Sequence, residues 1–375
     1  MESKNKLKEV AGVFLKLGSI AFGGPAAHIA MMEDEVVKKR KWISHEHFLD
    51  LIGATNIIPG PNSTEMTMHC GHERAGMKGL IVAGVCFVFP AVTITMILAW
   101  LYGKYGELPE VEPFIYGIKP AVIAIILGAV YRLGKKAIKN VYLLILGLLT
   151  LSATLLGLNE IIALFGCGLI GITWHILQKS RFTLKTVASP VFLQLLISTA
   201  NLKILCTFLK VGALLYGSGY VLFAYLDAEL VDTGLLTREE LVNAIAVGQF
   251  TPGPVLSTAT FIGWQLNGFW GAMLATVGIF MPSFIFVAIL NPLIPKMRKS
   301  KMISAFLDAV NVAAIAVIVA VSIEMGIEIF TNWRSIIIAV LSLILVLKFQ
   351  KLNSAFIVLG GAFTGYLLLV ISGLK

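Results

Sequence analysis

The sequence predicts an all-α polytopic membrane protein made of two inverted-topology repeats, with about ten transmembrane helices and two re-entrant Pro-Gly-Pro helix pairs. Composition is the first reason: 57% of the 375 residues are hydrophobic and only 14% are charged, against about half and about a quarter in soluble domains. The second is an internal repeat, in which Pro59-Gly60-Pro61 returns as Pro252-Gly253-Pro254. The third is that equivalent loops of the two halves carry opposite charge. Inverted repeats with broken hydrophobic segments are typical of secondary transporters.

The repeat covers nearly the whole chain. Phe14-Leu15-Lys16-Leu17-Gly18 returns as Phe208-Leu209-Lys210-Val211-Gly212. At one constant spacing, Gly71, Gly76, Gly79 and Pro90 return as Gly263, Gly268, Gly271 and Pro282. We therefore divide the chain into an N-terminal repeat at 1–186, a connector at 187–202 and a C-terminal repeat at 203–375.

Apolar segments in both halves approach the roughly 20 residues that cross the hydrocarbon core of a membrane. They lie at 11–31, 77–102, 114–131, 141–157 and 160–177, and again at 203–226, 268–294, 303–323, 334–348 and 354–372. An interrupted segment centred on Pro-Gly-Pro, at 46–71 or 239–263, follows the first span of each half. Proline removes a backbone donor and disfavours helix in the preceding residue. Each interrupted segment is therefore expected to be two half-helices that enter the membrane and turn back.

The loop charges indicate the inversion. The loop at 103–113 holds three glutamates and one lysine, whereas its counterpart at 295–301 holds four basic residues and no acid. The basic run Lys38 to Lys41 corresponds to an acidic stretch at 227–240. Since Lys and Arg favour cytoplasmic loops, equivalent loops are expected on opposite sides, which requires an odd number of spans per half. Five spans per half place both termini outside, an orientation against which the N-terminal lysines argue.

Each half contains two breaks in its helices. They are Phe22-Gly23-Gly24-Pro25 and Pro59-Gly60-Pro61-Asn62-Ser63-Thr64 in the first half, and Tyr216-Gly217-Ser218-Gly219 and Pro252-Gly253-Pro254-Val255-Leu256-Ser257-Thr258 in the second. Irregular backbone at membrane depth persists only where protein or a watery cavity surrounds it. A helix that restarts after proline presents free N–H groups and its positive dipole end to an anion, and the neighbouring hydroxyls add donors. Glycine and proline also occur as simple kinks and packing points, but the matched duplication favours a shared anion site.

Five further polar side chains are candidates for this site. Lys16 and Lys210 occupy equivalent places inside the first span of each half, where a cation is costly and suggests function; the alternative is that they reach out to the interface. His28 follows the first break by one turn and could relay protons, donate to an oxyanion or serve a structural role. Asn56 and Gln249 stand three residues before Pro-Gly-Pro and could bind substrate or cap the broken backbone.

Other motifs lack the context that their chemistry requires. His69, Cys70, His72 and Glu73 resemble metal ligands, but no second cluster completes a tetrahedral site. The GxGxxG match at 166–171 lies inside an apolar span without a βαβ unit, and the segment 71–78 lacks the GK[ST] ending of a phosphate loop. The four cysteines form no CxxC pair. We therefore expect no catalytic residue, no metal, no cofactor, no nucleic-acid partner and no ATP-driven pump.

The motifs together resemble one known family, the chromate ion transporters, in its long-chain, two-domain form. The residues that carry the resemblance are Phe22-Gly23-Gly24-Pro25-Ala26-Ala27-His28, the basic stretch containing Trp42, Pro59 to Thr64, the Gly71/Gly76/Gly79 series and their repeats. The family's glycine-proline motifs map onto Gly23, Gly24, Pro25, Pro59, Gly60, Pro61, Pro252, Gly253 and Pro254. Two departures, Asn56 in place of a glutamine and Gly217-Ser218-Gly219 in place of Gly-Gly-Pro, suggest functionally unequal halves.

The resemblance implies a cytoplasmic-membrane protein that exports chromate and confers chromate resistance, and some relatives are associated with sulfate. Our expectation is a secondary transporter that moves a tetrahedral dianion by alternating access. Its partners would be the oxyanion, the lipid bilayer and, as one option, a second copy of the chain. Sulfate has the charge and shape of chromate and is the alternative substrate. An uncoupled oxyanion channel or sensor would also use broken helices, whereas a membrane enzyme would need a haem, flavin or metal pattern that the sequence lacks.

Overall fold

The two halves form the same helices in the same order. The computed structural model describes residues 2–21, 25–55, 58–106, 108, 111–178, 200–216, 219–290, 301–349 and 352–371, and the regular structure in these ranges is helical. The first half contains α1 (Glu2–Ile20), α2 (Pro25–Met32) continued by a π-helical segment (Glu33–Lys39), α3 (His45–Thr55), α4 (Asn62–Tyr105), α5 (Glu112–Ala137), α6 (Val141–Leu155) and α7 (Glu160–Gln178).

The second half repeats this order, including the π-helical segment. It contains α8 (Ala200–Leu214), α9 (Val221–Leu226) with its π-helical segment (Asp227–Val231), α10 (Arg238–Phe250), a 3-10 turn (Val255–Ser257), α11 (Thr258–Leu290), α12 (Lys301–Ile329), α13 (Trp333–Lys348) and α14 (Ser354–Ile371). The predicted connector at 187–202 lies largely outside the described residues.

Within the described ranges, four helical segments are long and apolar enough to cross a membrane: Asn62–Tyr105, Glu112–Ala137, Val255–Ile289 and Met302–Ile329. Shorter apolar helices lie at Val141–Leu155, Glu160–Trp174 and Ser354–Leu369. Large apolar side chains on these shorter helices face outward, among them Leu149, Ile162 and Phe363. Such a surface is costly in water and suits lipid, so the fold is that of a multi-pass membrane protein.

The helices α4 and α11 are each folded back into two antiparallel arms. Ala75 and Gly76 leave the helical conformation, and Gly76 has a φ of 62°. A Cβ on Gly71 would overlap the carbonyl of Gly79, so the backbones of the two arms touch. The first arm of α4 is 62–75 and the second is 77–105; Gly268, Gly263 and Gly271 make the same reversal in α11. The reversals fall at the boundary between the predicted re-entrant segments and the predicted spans that follow.

The predicted span at 11–31 is wrong, because the chain turns back within it. α1 ends at Ile20 and α2 begins at Pro25; proline suits the first position of a helix and disfavours helix before it. The Lys16 amino group lies 3.8 Å from the Glu35 carboxylate. Glu9, two turns before Lys16, pairs instead with Arg40, beyond Glu35. The two segments therefore run antiparallel.

Its counterpart at 203–226 fails as a single span for the same reason. Lys210 pairs with Glu229 at 2.5 Å, and the Tyr225 hydroxyl donates to the carbonyl of Leu214. These contacts again require that the chain after α8 runs back beside it. The predicted set of ten spans therefore loses its first member in each half.

The remaining helices interlock across the two halves. α5 of the first half packs against α13 and α14 of the second, and α12 of the second packs against α6 and α7 of the first. Small residues permit the close approach: a Cβ on Gly117 would overlap the backbone of Gly361, and one on Gly171 would overlap Ala309. This reciprocal exchange relates the halves by a pseudo-two-fold axis and makes one packed unit of them.

Charged residues divide the molecule into two faces. The basic face carries Glu9 with Arg40 and Arg74, and the pair Lys139–Asp308. The acidic face carries Arg238 with three carboxylates, those of Asp227, Glu324 and Glu328, and the pair Lys119–Glu239. α7 ends at the basic face, because its Trp174 stacks on Tyr142 at the start of α6. α8 begins on the side of the acidic face, because its Lys210 pairs with Glu229, two residues after Asp227, and the helix then runs on towards Leu214.

Candidate functional site

Two backbone hydrogen bonds join the helix breaks of each half to the Pro-Gly-Pro loop of the other. The Gly60 N–H donates to the carbonyl of Leu215 at 2.6 Å, and the Gly253 N–H donates to the carbonyl of Ala21 at 2.8 Å. Leu215 directly follows α8, and Ala21 directly follows α1. We call these contacts the Leu215–Gly60 junction and the Ala21–Gly253 junction. The four predicted breaks therefore meet in two equivalent pairs related by the pseudo-two-fold axis.

The second arms of α4 and α11 form a shared wall for the two junctions. A Cβ on Gly84 would overlap the ring of Phe284, so these arms are in direct contact. Gly253 lies against Ala91 in the α4 arm, and Gly60 lies against Ser283, which occupies the equivalent position in the α11 arm. Each Pro-Gly-Pro loop of one half thus rests on the helix that follows the other loop.

Glycine is required in both loops. Gly60 has a φ of +139° and Gly253 a φ of +86°, a region that residues with a Cβ rarely adopt. A Cβ on Gly60 would in addition overlap the Ser283 hydroxyl and the Glu65 carboxylate, whereas one on Gly253 would lie 3.1 Å from the Ala91 Cβ. The prolines at 59, 61, 252 and 254 are buried around them.

Helices begin directly after both loops without a side-chain cap. Pro61 and Pro254 are the N-cap residues, and neither offers a side-chain acceptor to the first turn. Ser63, Thr64, Ser257 and Thr258 are all buried. The Thr64 hydroxyl has no partner among the described residues, while Ser257 bonds Thr251 at 3.1 Å and Thr258 donates to the Val255 carbonyl. Uncapped N–H groups beside hydroxyls can coordinate an oxyanion. Asn62, at the start of α4, is partly exposed.

His28 belongs to the Ala21–Gly253 junction. It is 1% exposed, its Nε2 lies 3.0 Å from the Ala21 carbonyl, and its ring meets the edge of Phe87. Because a carbonyl only accepts, we assign the ring proton to Nε2. Nδ1 then remains an acceptor, and it has no partner among the described residues.

The other predicted site residues fall in three groups. Gln249 is buried, with its Nε2 unpartnered among the described residues; Gly219 is buried beside Leu256, and Pro25 is partly exposed at the start of α2. Lys16 and Lys210 pair with Glu35 and Glu229 of the π-helical segments rather than with either loop. Gly23, Gly24, Asn56, Gly217 and Ser218 lie outside the described residues.

Sequence reasoning missed Glu65, which lies at the Leu215–Gly60 junction. Its side chain is 0% exposed, and neither carboxylate oxygen has a hydrogen-bond partner among the described residues. The signal was present, because an ionisable residue within an apolar segment is a functional candidate by default. The motif was read only as far as Thr64, one residue too short.

A cavity of about 670 Å³ opens beside α10 on the acidic face. Its lining includes Tyr102, Tyr116, Lys119, Glu239, Asn243 and Gln265. Lys119 pairs with Glu239 at 2.5 Å, and Asn243 donates to the Tyr102 hydroxyl at 2.8 Å. Asn243 lies six residues before Gln249 on α10, about 9 Å along a helix, so α10 links the cavity to the second Pro-Gly-Pro loop.

The basic and acidic faces shift the pKa values of their carboxyl groups in opposite directions. Burial alone would raise the pKa of Glu9, but hydrogen bonds from Arg74, Arg40 and Trp42 outweigh it and hold that pKa below its ordinary value. On the acidic face, burial and then the neighbouring carboxylate of Asp227 raise the pKa of Asp232. The basic face therefore stabilises the charged form of Glu9, whereas the acidic face disfavours the charged form of Asp232.

Comparison with known proteins agrees with this architecture. A family model described as chromate transporter matches the chain twice, at residues 8–172 and 202–366. A chromate transport protein of Cupriavidus metallidurans is 30% identical over 370 residues, which cover 96% of this chain and 92% of the relative. A probable chromate transport protein of Synechococcus elongatus is 30% identical, with 96% and 95% covered. A chromate transport protein of Pseudomonas aeruginosa is 28% identical, with 94% and 90% covered. No solved structure matches the chain.

Proposed function

Because the chain belongs to the chromate transporter family, we propose that it is a secondary transporter that exports chromate through the cytoplasmic membrane and confers chromate resistance. The observation that carries the proposal is the reciprocal pair of hydrogen bonds, Gly60 to Leu215 and Gly253 to Ala21. These bonds bring four helix breaks together between two pseudo-symmetric halves. Transporters built from repeats bind substrate at such an interface.

The chemistry of the loops suits a tetrahedral dianion. The helix starts after Pro61 and Pro254 present N–H groups and positive dipole ends, and the hydroxyls of Ser63, Thr64, Ser257 and Thr258 stand beside them. Lys16 and Lys210 instead pair with Glu35 and Glu229 on the adjoining helix pairs, so the helix ends and hydroxyls carry the binding of the dianion. Sulfate shares this charge and shape and remains the alternative substrate.

Alternating access follows from the pseudo-symmetry. Each loop is held by the opposite half, so rocking of the halves would change both junctions together. The cavity beside α10 opens at the acidic face, which makes this conformation open to that side. Export of a dianion against an inside-negative potential releases about 2.3 kcal/mol per charge per 100 mV, so the electrical term favours efflux.

The fold also revises the predicted orientation. The N-terminal helix α1 shares the basic face through the Glu9 contacts with Arg40 and Arg74. Basic loops favour the cytoplasm, so we place the N-terminus inside, in agreement with the lysines near it. The second arm of α4 and helices α5, α6 and α7 then span the membrane, and the pairs α1–α2 and α3–first arm of α4 are re-entrant.

The inversion then rests on where α7 ends and α8 begins. α7 ends at the basic face and α8 begins at the acidic face, so α1 and α8 begin on opposite sides of the membrane. The second half repeats the same path from the acidic face, which makes its topology the inverse of the first.

Anion uptake into inverted membrane vesicles tests the proposal. Vesicles that contain the protein should accumulate chromate faster than vesicles without it, and sulfate should compete if it shares the site. The double variant Gly60→Ala/Gly253→Ala alters both Pro-Gly-Pro loops and should lose this uptake. Equal uptake with and without the protein, for both anions, would remove the proposed function.

A further inference from the structure

The Leu215–Gly60 junction contains a carboxyl group that its pseudo-symmetric counterpart lacks. Glu65 stands on the first turn of α4, one residue after Thr64, and is completely buried. The equivalent first turn of the second half, Val255 to Ala259, holds no acid, and α11 carries no titratable side chain. The backbone is repeated at this place, but the carboxyl is not.

No described cation forms an ion pair with Glu65. Both carboxylate oxygens lack a hydrogen-bond partner among the described residues. The Ser283 hydroxyl and the Glu65 carboxylate both stand where a Cβ on Gly60 would be, and Tyr216, the residue after Leu215, is close enough to interact electrostatically. A charged carboxylate is costly in such a place, because its side chain is completely buried and no described cation pairs with it.

The titratable groups on the packed elements do not change this. They are His69 on the next turn of α4, His28 on α2, the His47–Glu73 pair at the far end of α3 and the first arm, and, on α1, Glu9 and Lys16. Glu9 is bonded to Arg40 and Arg74, and Lys16 lies 3.8 Å from Glu35. Lys16, Arg40 and Arg74 therefore each pair with a carboxylate other than Glu65.

We propose that Glu65 binds a proton when the dianion enters the site, so that one proton moves in the same direction as each dianion. The inference rests on the proposed function and adds its coupling ion. A dianion held by the N–H groups after Pro61 would lie next to this carboxyl. An ionised carboxylate and a dianion repel each other strongly inside a protein, where the effective dielectric constant is low. Protonation removes the repulsion, so proton and anion bind together and leave together. The net charge moved per cycle becomes one negative charge rather than two.

Purified protein in liposomes provides the test, with chromate as the probe and the membrane voltage held constant. An acidic exterior should drive chromate inward against its gradient in the wild type. One proton per anion lets a one-unit pH difference support about a tenfold anion gradient. Glu65→Gln mimics the protonated side chain, so it should retain chromate–chromate exchange and lose accumulation driven by the pH difference. Chromate accumulation by Glu65→Gln that still follows the pH difference would overturn the inference.

Two controls keep the outcomes distinct. Glu46→Gln changes an exposed carboxyl on α3, the helix that leads to the same loop, and it should leave pH-driven accumulation unchanged. If the wild type moves neither chromate nor sulfate, the proposed function fails; if it moves chromate but the pH difference has no effect, only the proton inference fails. Should Glu65→Gln not fold, a hydrophobic carbodiimide on the wild type replaces it: chromate should increase modification of Glu65 severalfold, and an unchanged or decreased yield would refute the inference.

Discussion

The Ala21–Gly253 and Leu215–Gly60 junctions have the same backbone and different chemistry. In each, a glycine N–H donates to the last carbonyl of a broken helix from the other half. At the Ala21–Gly253 junction the neighbouring residues are Ala91, Phe87 and His28, whose ring is hydrogen-bonded to the Ala21 carbonyl. At Leu215–Gly60 they are Ser283, Tyr216 and the buried Glu65. The pseudo-symmetry thus sets where the loops meet, and the side chains decide what each junction can bind.

This difference explains why a duplicated transporter need not use its halves alike. A common fold requires only that glycine and proline keep the two loops in place. One junction can then hold a buried carboxyl group, while the other keeps a histidine bonded to the backbone. Function is expected to be sensitive to the geometry at both junctions and to protonation at one of them.

The largest expected difference between the junctions comes from adding one methyl group to each loop. Gly60→Ala should abolish transport and reduce the yield of folded protein, because the Cβ overlaps Ser283 and Glu65 and the φ is unfavourable. Such backbone strain alone costs about 1–3 kcal/mol. Gly253→Ala has an unfavourable φ as well, but its Cβ would lie 3.1 Å from the nearest side-chain atom, so it should give more folded protein than Gly60→Ala. Size-exclusion profiles and melting in detergent measure both, with Gly103→Ala as the control, since its Cβ would meet open space. Equal damage at both loops would contradict the comparison.

Removing the carboxyl should stabilise the Leu215–Gly60 junction. A buried polar group without a partner costs about 1–3 kcal/mol, so Glu65→Met should raise the melting temperature by about 2–4 °C. Glu65→Gln keeps a polar group in the same place and should give little or no rise. A lower melting temperature for Glu65→Met would show that the carboxyl is a structural element instead of a functional one.

Loss of the lysine should have a smaller effect on stability, and an unequal one, in the two ion pairs Lys210–Glu229 and Lys16–Glu35. Glu229 is 16% exposed and pairs with Lys210, whereas Glu35 has Lys39 and Arg40 in addition to Lys16. Lys210→Gln therefore leaves a half-buried carboxylate without its cation and should cost about 1 kcal/mol. Lys16→Gln should cost close to nothing. The double variant Lys210→Gln/Glu229→Gln should recover most of the loss, which a denaturation series can measure; no recovery would show that Lys210 acts elsewhere.

The repeat and its breaks could be predicted from sequence because they depend on glycine and proline, whose backbone effects are local. Pro59-Gly60-Pro61 and its copy mark the loops, and the glycine series marks the reversals at Gly76 and Gly268. The wrong span at 11–31 has the opposite origin. Its composition is mostly apolar, and hydropathy does not distinguish a helix that crosses the membrane from a hairpin of two antiparallel helices. The Gly23-Gly24-Pro25 motif marks a break in the helix, but the contacts of Glu9 and Lys16 are what show that the chain reverses there.

The pairing of the breaks could not be predicted either, because it is a long-range contact between halves. Nothing local to Gly60 indicates that its partner is Leu215. Glu65 was within reach of the sequence, since a lone acid in an apolar segment is itself a signal. Its isolation from cations, by contrast, depends on which elements surround it in three dimensions.

The smallest expected effects concern pH and should have opposite signs at the two faces. The pKa of Glu9 is lowered in the folded protein, so its stabilisation is present above the unfolded value of 4.5 and is lost as the pH falls through the folded value. Glu9→Gln should therefore lower the melting temperature at pH 7 by about 1–2 °C, and this effect should shrink as the pH falls below 4.5. The pKa of Asp232 is raised from 3.8, so ionisation of Asp232 destabilises the fold as the pH rises.

Asp232→Asn should consequently raise the melting temperature at pH 7 by a similar amount, and this gain should vanish below about pH 4. Each variant is compared with the wild type at the same pH, so that other titrations cancel. The opposite signs follow from the partners: two guanidinium groups contact Glu9, while the nearest charge that raises the pKa of Asp232 is another carboxylate. Shifts of the same sign at pH 7 would mean that the two faces do not differ in the way that their charges indicate, and would weaken the case for an inverted topology.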